Sequence, residues 1–175
     1  MTVLEGGEHQ GKTAFVFPLP NGSFKFFILD SSFEEIDKRT NAGGTDTLFP
    51  SLEHDLGSAL YIFEGFPDCL KARELGYNAF TWSGCVRSFQ KLTLEFEPQR
   101  QVFLVLDQDH TSQDALPKIA HTFLEEGFLV KVVDLPFTEK EQGKDFCDWM
   151  KIHTKPEFED LLNSASSFLN PQDQL

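Results

Sequence analysis

Four short apolar runs organise the middle of the 175-residue chain. Residues 59–63 (ALYIF) are nearly all apolar, the pattern of a strand buried on both faces rather than half-solvated. The run ends in Glu64 and Gly65. Residues 68–75 then read as a helix, with Pro67 fitting its first turn and Gly76 placed where a helix stops. Residues 78–82 form a second strand candidate, and 101–106 (QVFLVL) a third, which ends in Asp107, Gln108 and Asp109. Leu116, Ile119, Ala120, Phe123 and Leu124 recur at helical spacing across 114–126, Gly127 ends that helix, and 128–135 give a fourth strand. Strands alternating with helices in this way predict an α/β fold with a mostly parallel sheet.

The flanks follow other periods. Residues 13–17 and 23–29 predict a hairpin around Asn21 and Gly22, a pair that suits tight turns. Within it, FKFF at 24–27 reads as buried strand ahead of a base-stacking surface. Residues 41–44 predict a loop, and 48–56 include a short helix. A terminal helix is expected over 156–169, opened by Pro156 and closed by Asn170 and Pro171, covering the sheet with Phe158, Leu161, Leu162 and Phe168. Residues 6–13 (GGEHQGKT) match the phosphate-loop pattern in full. That loop requires a buried strand before it and a helix after it, and hairpin chemistry follows instead, so the match reads as chance. The expected division is a strand-rich region over 1–57, an α/β unit over 58–152, and a helix and tail over 153–175.

Carboxylates collect where open α/β sheets carry their sites, at the C-terminal tips of strands. Asp107 and Asp109, two apart on extended chain, share a face, and Glu64 ends a neighbouring strand. Each would raise the pKa of the others unless a cation lay among them, and oxygen ligands favour a hard ion, Mg²⁺ or Mn²⁺.

EGFPD after one strand, DQD after a later one, then GKDFCDW, together resemble a Toprim domain over roughly residues 60–150, in its primase-like branch. TWSG at 81–84 resembles a connecting motif of that branch. The resemblance implies a Rossmann-like, four-stranded, mostly parallel sheet flanked by helices. It also implies Mg²⁺ (or Mn²⁺) held by Glu64, Asp107 and Asp109, with Asp145 and Asp148 brought toward the metals. Glu64 would complete the metal shell or act as general acid or base. Asp68 either supports the site and substrate or only complements its helix dipole, and Lys144 joins it as a substrate-binding residue. Two positions depart from the family pattern: Ser112 stands where a Gly is usual, and Cys147 where an Asn is usual.

This resemblance implies metal-dependent phosphoryl or nucleotidyl transfer on nucleotides or nucleic-acid phosphodiesters in replication or mobile-element biology. Small metal-dependent nuclease and weakly catalytic binding module are the alternatives. Implied partners are single-stranded DNA or RNA, nucleoside triphosphates, and a protein of a replication assembly. The formal net charge of −13, spread over the whole chain, runs against a globally basic nucleic-acid surface. A folded patch from Lys71, Arg73, Arg87, Lys91 and Lys118 is the candidate left. Cys69, Cys85 and Cys147 lack zinc-site spacing. The chain shows no membrane-length apolar run or leader pattern, so a cytoplasmic protein with no membrane partner is expected.

Overall fold

The computed structural model describes residues 1–5, 8–40, 46–84, 86–138 and 143–168. The first sheet is antiparallel, in the order β1 (Thr2–Val3), β2 (Thr13–Pro18), β3 (Phe24–Leu29) and β4 (Glu35–Thr40). The expected hairpin is β2–β3, with Phe15 opposite Phe27. Its turn is wider than a two-residue connection. Gly22 N–H donates to Leu19 O at 2.9 Å, and Gly22 takes the left-handed φ of 80° that a side chain would resist. Strand β4 (EIDKRT) escapes a pattern search because it has one apolar residue; as a sheet edge it tolerates charge. Lys12 lies in the turn joining β1 to β2, where Leu4 N–H donates to Lys12 O, so strand rather than helix follows the GK pair. Gly6, Gly7, the 41–44 loop and Cys85 lie outside the described residues.

The second sheet has six strands: β5 (Leu48–Phe49), β6 (Leu60–Phe63), β7 (Ala79–Trp82), β8 (Gln101–Val105), β9 (Leu129–Val132) and β10 (Ser166–Ser167), ordered β10-β9-β8-β6-β7-β5. The four central strands are parallel, as their apolar runs predict. Two-residue antiparallel strands, β5 and β10, border them. Both come from outside the 58–152 span.

Helices α1 (Phe66–Glu74) and α2 (His110–Glu125) cross between strands; α3 (Phe146–Trp149) and α4 (Lys155–Ser164) follow β9. Helix α2 starts four residues before the sequence pattern suggests, because Asp109 caps it. The short helix expected within 48–56 is one 3-10 turn, Leu52–His54, and it follows β5. The terminal helix stops at Ser164 rather than 169. Ala165 turns extended and the polar small residues Ser166 and Ser167 pair with β9, serine competing poorly as a helix interior. No described helix is long and apolar enough to cross a membrane.

Both faces of the large sheet are covered. Leu60, Ile62, Phe80 and Leu104 pack under α2 through Ile119 and Phe123. On the other face Phe63, Phe103 and Val105 pack against Phe146, Trp149 and Phe158. A third cluster joins the sheets: Leu19, Phe27 and Phe66 are buried together, with the Phe66 ring tilted against Phe49 at a centroid distance of 4.6 Å. It holds β3 over the start of α1.

Candidate active site

Strands β6 and β8 run in register, Phe63 beside Val105, so their C-terminal tips deliver Glu64 and Asp107 side by side. Asp107 N–H donates to Glu64 Oε2 at 3.3 Å. Two residues on, Asp109 is the N-cap of α2: its Oδ1 accepts from both the backbone N–H and the hydroxyl of Ser112, each at 3.0 Å. Its Oδ2 is left for another partner. Lys144 Nζ supplies it, 3.1 Å away, and lies 3.1 Å from Asp107 Oδ2 as well. The DxD pair thus converges on one cationic centre.

Lys144 is fixed by its backbone. Its carbonyl accepts from Gln108 N–H at 2.6 Å, and its N–H donates to Asp148 Oδ2 at 3.3 Å. Asp145 caps α3, accepting from Asp148 N–H at 2.8 Å, while Asp148 Oδ1 takes Lys151 Nζ at 2.7 Å. These two acids therefore hold the Lys144 loop and a helix start; Asp145 also lines the cleft described below. Asp68, in the first turn of α1, is buried, and its Oδ1 accepts from Cys147 N–H at 2.8 Å. A Cβ at Gly65 would fall 2.4 Å from Asp68 Oδ2, so the glycine is what lets that carboxylate lie against the strand tip. Ser112 is fully buried at the third position of α2, tied to the capping Asp109. His110, by contrast, is 92% exposed and pairs with Asp114.

Electrostatics separate the acids. Burial, then the charge of Glu64, pushes Asp107 up to about 7 despite Lys144. Burial and the neighbouring Asp145 push Asp68 up to about 6. Asp109 goes the other way, held below the ordinary carboxylate range chiefly by the Ser112 N–H. Burial pulls Lys144 down, but its bonds to both aspartates and their charges outweigh that and hold the ammonium above the usual lysine range.

Glu64, Asp68, Asp107 and Asp145 line a cleft of about 560 Å³. Glu64, Asp68 and Asp107 form one side; Lys25, Phe27, Glu35 and Lys38, from β3 and β4, form the other, with Lys38 Nζ 3.5 Å from Glu35 Oε1. Lys25 Nζ donates to Ser83 O at 3.1 Å, and burial, then Lys38, lowers its pKa. Phe27 is buried strand, as FKFF predicts, while Phe24 is exposed. Pattern reading missed Lys25 and Lys38; the signal is their place opposite each other's neighbours on one face, Lys25 and Phe27 alternating along β3 with Lys38 across from Phe27. Of the cations it did single out, Lys71 pairs with Glu74 at 2.9 Å and Arg73 donates to Ala79 O and His54 O. Arg87 and Lys118 line a separate hollow beside Asp114.

Among the described residues, no group of three His, Cys, Asp or Glu is already gathered to hold a metal ion. The donor set nevertheless fits a hard one. Two carboxylate oxygens face one cation, and Mg²⁺ commonly takes one or two carboxylates and keeps several waters.

No curated protein matches the chain. Solved structures do. The zinc-binding and RNA polymerase domains of the Aquifex aeolicus primase align with a TM-score of 0.63 at 18% identity, over 91% of this chain and 41% of that one. A DNA primase domain from Pseudomonas aeruginosa gives 0.65 at 15%, over 91% and 53%. A bacteriophage T7 assembly, of lagging-strand DNA polymerase with primase domains bound to an RNA/DNA hybrid and dTTP, gives 0.65 at 19%, over 90% and 79%. At these identities the likeness is one of fold, and the chain spans less than half of the Aquifex chain. Toprim domains of primases generally bind Mg²⁺. The Toprim-like family model matches residues 61–150, just over half of the chain, a span that contains Glu64, Asp107, Asp109 and Lys144. The chain belongs to the Toprim-like family.

Proposed function

We propose that this chain is a primase-like Toprim protein, catalysing Mg²⁺-dependent nucleotidyl transfer in replication. Family membership supports primase-type nucleotidyl transfer at the family level. The observation that carries the finer reading is the convergence of Asp107 and Asp109 on one cationic centre in a cleft whose facing wall offers Lys25 and Lys38. A phosphate chain needs both: a metal-holding floor and cations for its other oxygens.

Asp107 and Asp109 would hold the ion, with Glu64 beside them to complete its shell or to take a proton from an attacking hydroxyl. When bound, Mg²⁺ neutralises charge developing on the phosphoryl oxygens and orients attacking and leaving groups. Lys25 and Lys38 bind phosphate oxygens across the cleft, and Phe27 between them excludes water. Asp68, which burial keeps protonated below about pH 6, limits repulsion at the floor in that range. Single-stranded DNA or RNA and nucleoside triphosphates are the substrates of this reading, and a replication protein its partner.

The test compares wild type with Asp107→Ala/Asp109→Ala on labelled single-stranded DNA and RNA, with Mg²⁺ or Mn²⁺, with and without nucleoside triphosphates. Wild type should extend the strand only with triphosphates, and the double variant should lose at least about a hundredfold in rate, the scale of several kcal/mol of lost charge stabilisation. Cutting without triphosphates would reassign the site to a nuclease. No turnover, with Mn²⁺ still raising the melting temperature of wild type alone, would leave a metal-binding module.

A further inference from the structure

Lys144 is placed with unusual care for a lysine that is 56% exposed. Its carbonyl is bound by the backbone of the DxD loop through Gln108, and its amide by Asp148, which Lys151 in turn holds. Three contacts therefore bring one ammonium equidistant, at 3.1 Å, from Asp107 Oδ2 and Asp109 Oδ2. These are the two oxygens that the metal reading gives to the ion. Two carboxylates this close repel each other unless a cation lies between them. An ammonium and a divalent ion cannot share that position, and the exposed side chain of Lys144 is free to swing without unpacking the core.

We propose that Lys144 is a displaceable internal counter-ion: it holds the DxD pair together when no metal is bound, and a divalent ion enters by exchanging with it. The ammonium leaves for the cleft, whose wall it already lines, and joins Lys25 and Lys38 as a third cation facing phosphate. This rests on the metal-site reading above. It adds that measured metal affinity contains the work of breaking two ion pairs, and that metal entry and phosphate binding favour each other, since a freed ammonium seeks a new anion.

The experiment titrates Mn²⁺ against the intact protein by electron paramagnetic resonance of free Mn²⁺, in wild type, Lys144→Met and Lys144→Arg. Lys144→Met should bind Mn²⁺ about tenfold more tightly, the scale of two partly exposed ion pairs, yet melt lower than wild type in metal-free buffer. Lys144→Arg, which keeps a charge, should stay near wild type in affinity. A second measurement needs no variant. Mn²⁺ should raise the rate at which an amine-directed reagent labels Lys144 in wild type, read by peptide mass spectrometry. If wild type binds Mn²⁺ but Lys144→Met binds it no more tightly, or labelling is unchanged or slower, the exchange is wrong while the metal site stands. If no form binds Mn²⁺, the metal-site reading falls and takes the exchange with it.

Discussion

Asp68 is a charge kept indoors. Its folded pKa, about 6, lies above the ordinary 3.8, so the folded chain binds its proton more tightly than the unfolded one. The stability it contributes is therefore complete below about pH 4 and is lost as pH rises through 6. Above that, an ionised, buried Asp68 costs about 3 kcal/mol. Asp68→Asn keeps an Oδ1 that accepts from Cys147 N–H and removes the charge. Calorimetry at pH 8 should find this variant melting several degrees above wild type, and at pH 4 no difference; an equal gain at both would show that charge is not the cause. Ser112 carries the opposite lesson. Restoring the family's glycine there removes a hydroxyl from Asp109 Oδ1 and adds glycine to a helix, so Ser112→Gly should lose about 1–2 kcal/mol in denaturant unfolding.

Helix starts, at the scale of elements, are where this site is assembled. Asp109 caps α2 with one oxygen and gives the other to Lys144, which lines the cleft; Asp145 caps α3 and so fixes the loop that carries Lys144. The strand tips of Glu64 and Asp107 are legible in the sequence because the apolar runs before them fit only strands buried on both faces. The caps are half legible: DQDHTS and KDFCD display acids, but whether an acid faces a metal or an amide depends on which oxygen the fold turns inward. Asp145 and Asp148, read as metal-directed, each spend an oxygen on α3 or its loop. The terminal helix shows the same distinction without a site. Its capping box, Thr154 with Glu157, is plain in the sequence, and Thr154→Ala should lower stability by about 1 kcal/mol with no effect on metal binding.

The cleft belongs to the whole molecule, and this is why half of it was invisible to motif reading. Lys25 and Lys38 come from a sheet that is hydrogen-bonded separately from the one carrying the acids. They meet the acids because Phe27 and Phe66 pack across the gap. Net charge of −13 therefore coexists with a wall that carries two lysines against one acid, Glu35. Lys25→Gln/Lys38→Gln should weaken binding of single-stranded DNA and flatten its salt dependence by about two units of slope at most, one per lost phosphate contact, measured by fluorescence anisotropy across salt. An unchanged slope would move nucleic acid off this wall.

The two-residue border strands also matter away from the chemistry. Strand β7 is buried along its whole length, and Leu48 and Phe49 of β5 are what cover its outer side. A fragment cut at Ser58, just ahead of the family match, would bare that row of backbone groups beside an apolar surface, an invitation to pair with another copy. Fragments beginning at Asp46 should run as single chains in size-exclusion chromatography, and those beginning at Ser58 should self-associate. Anyone trimming this protein for crystallisation is thus better served by twelve residues that look like linker than by a tidy boundary.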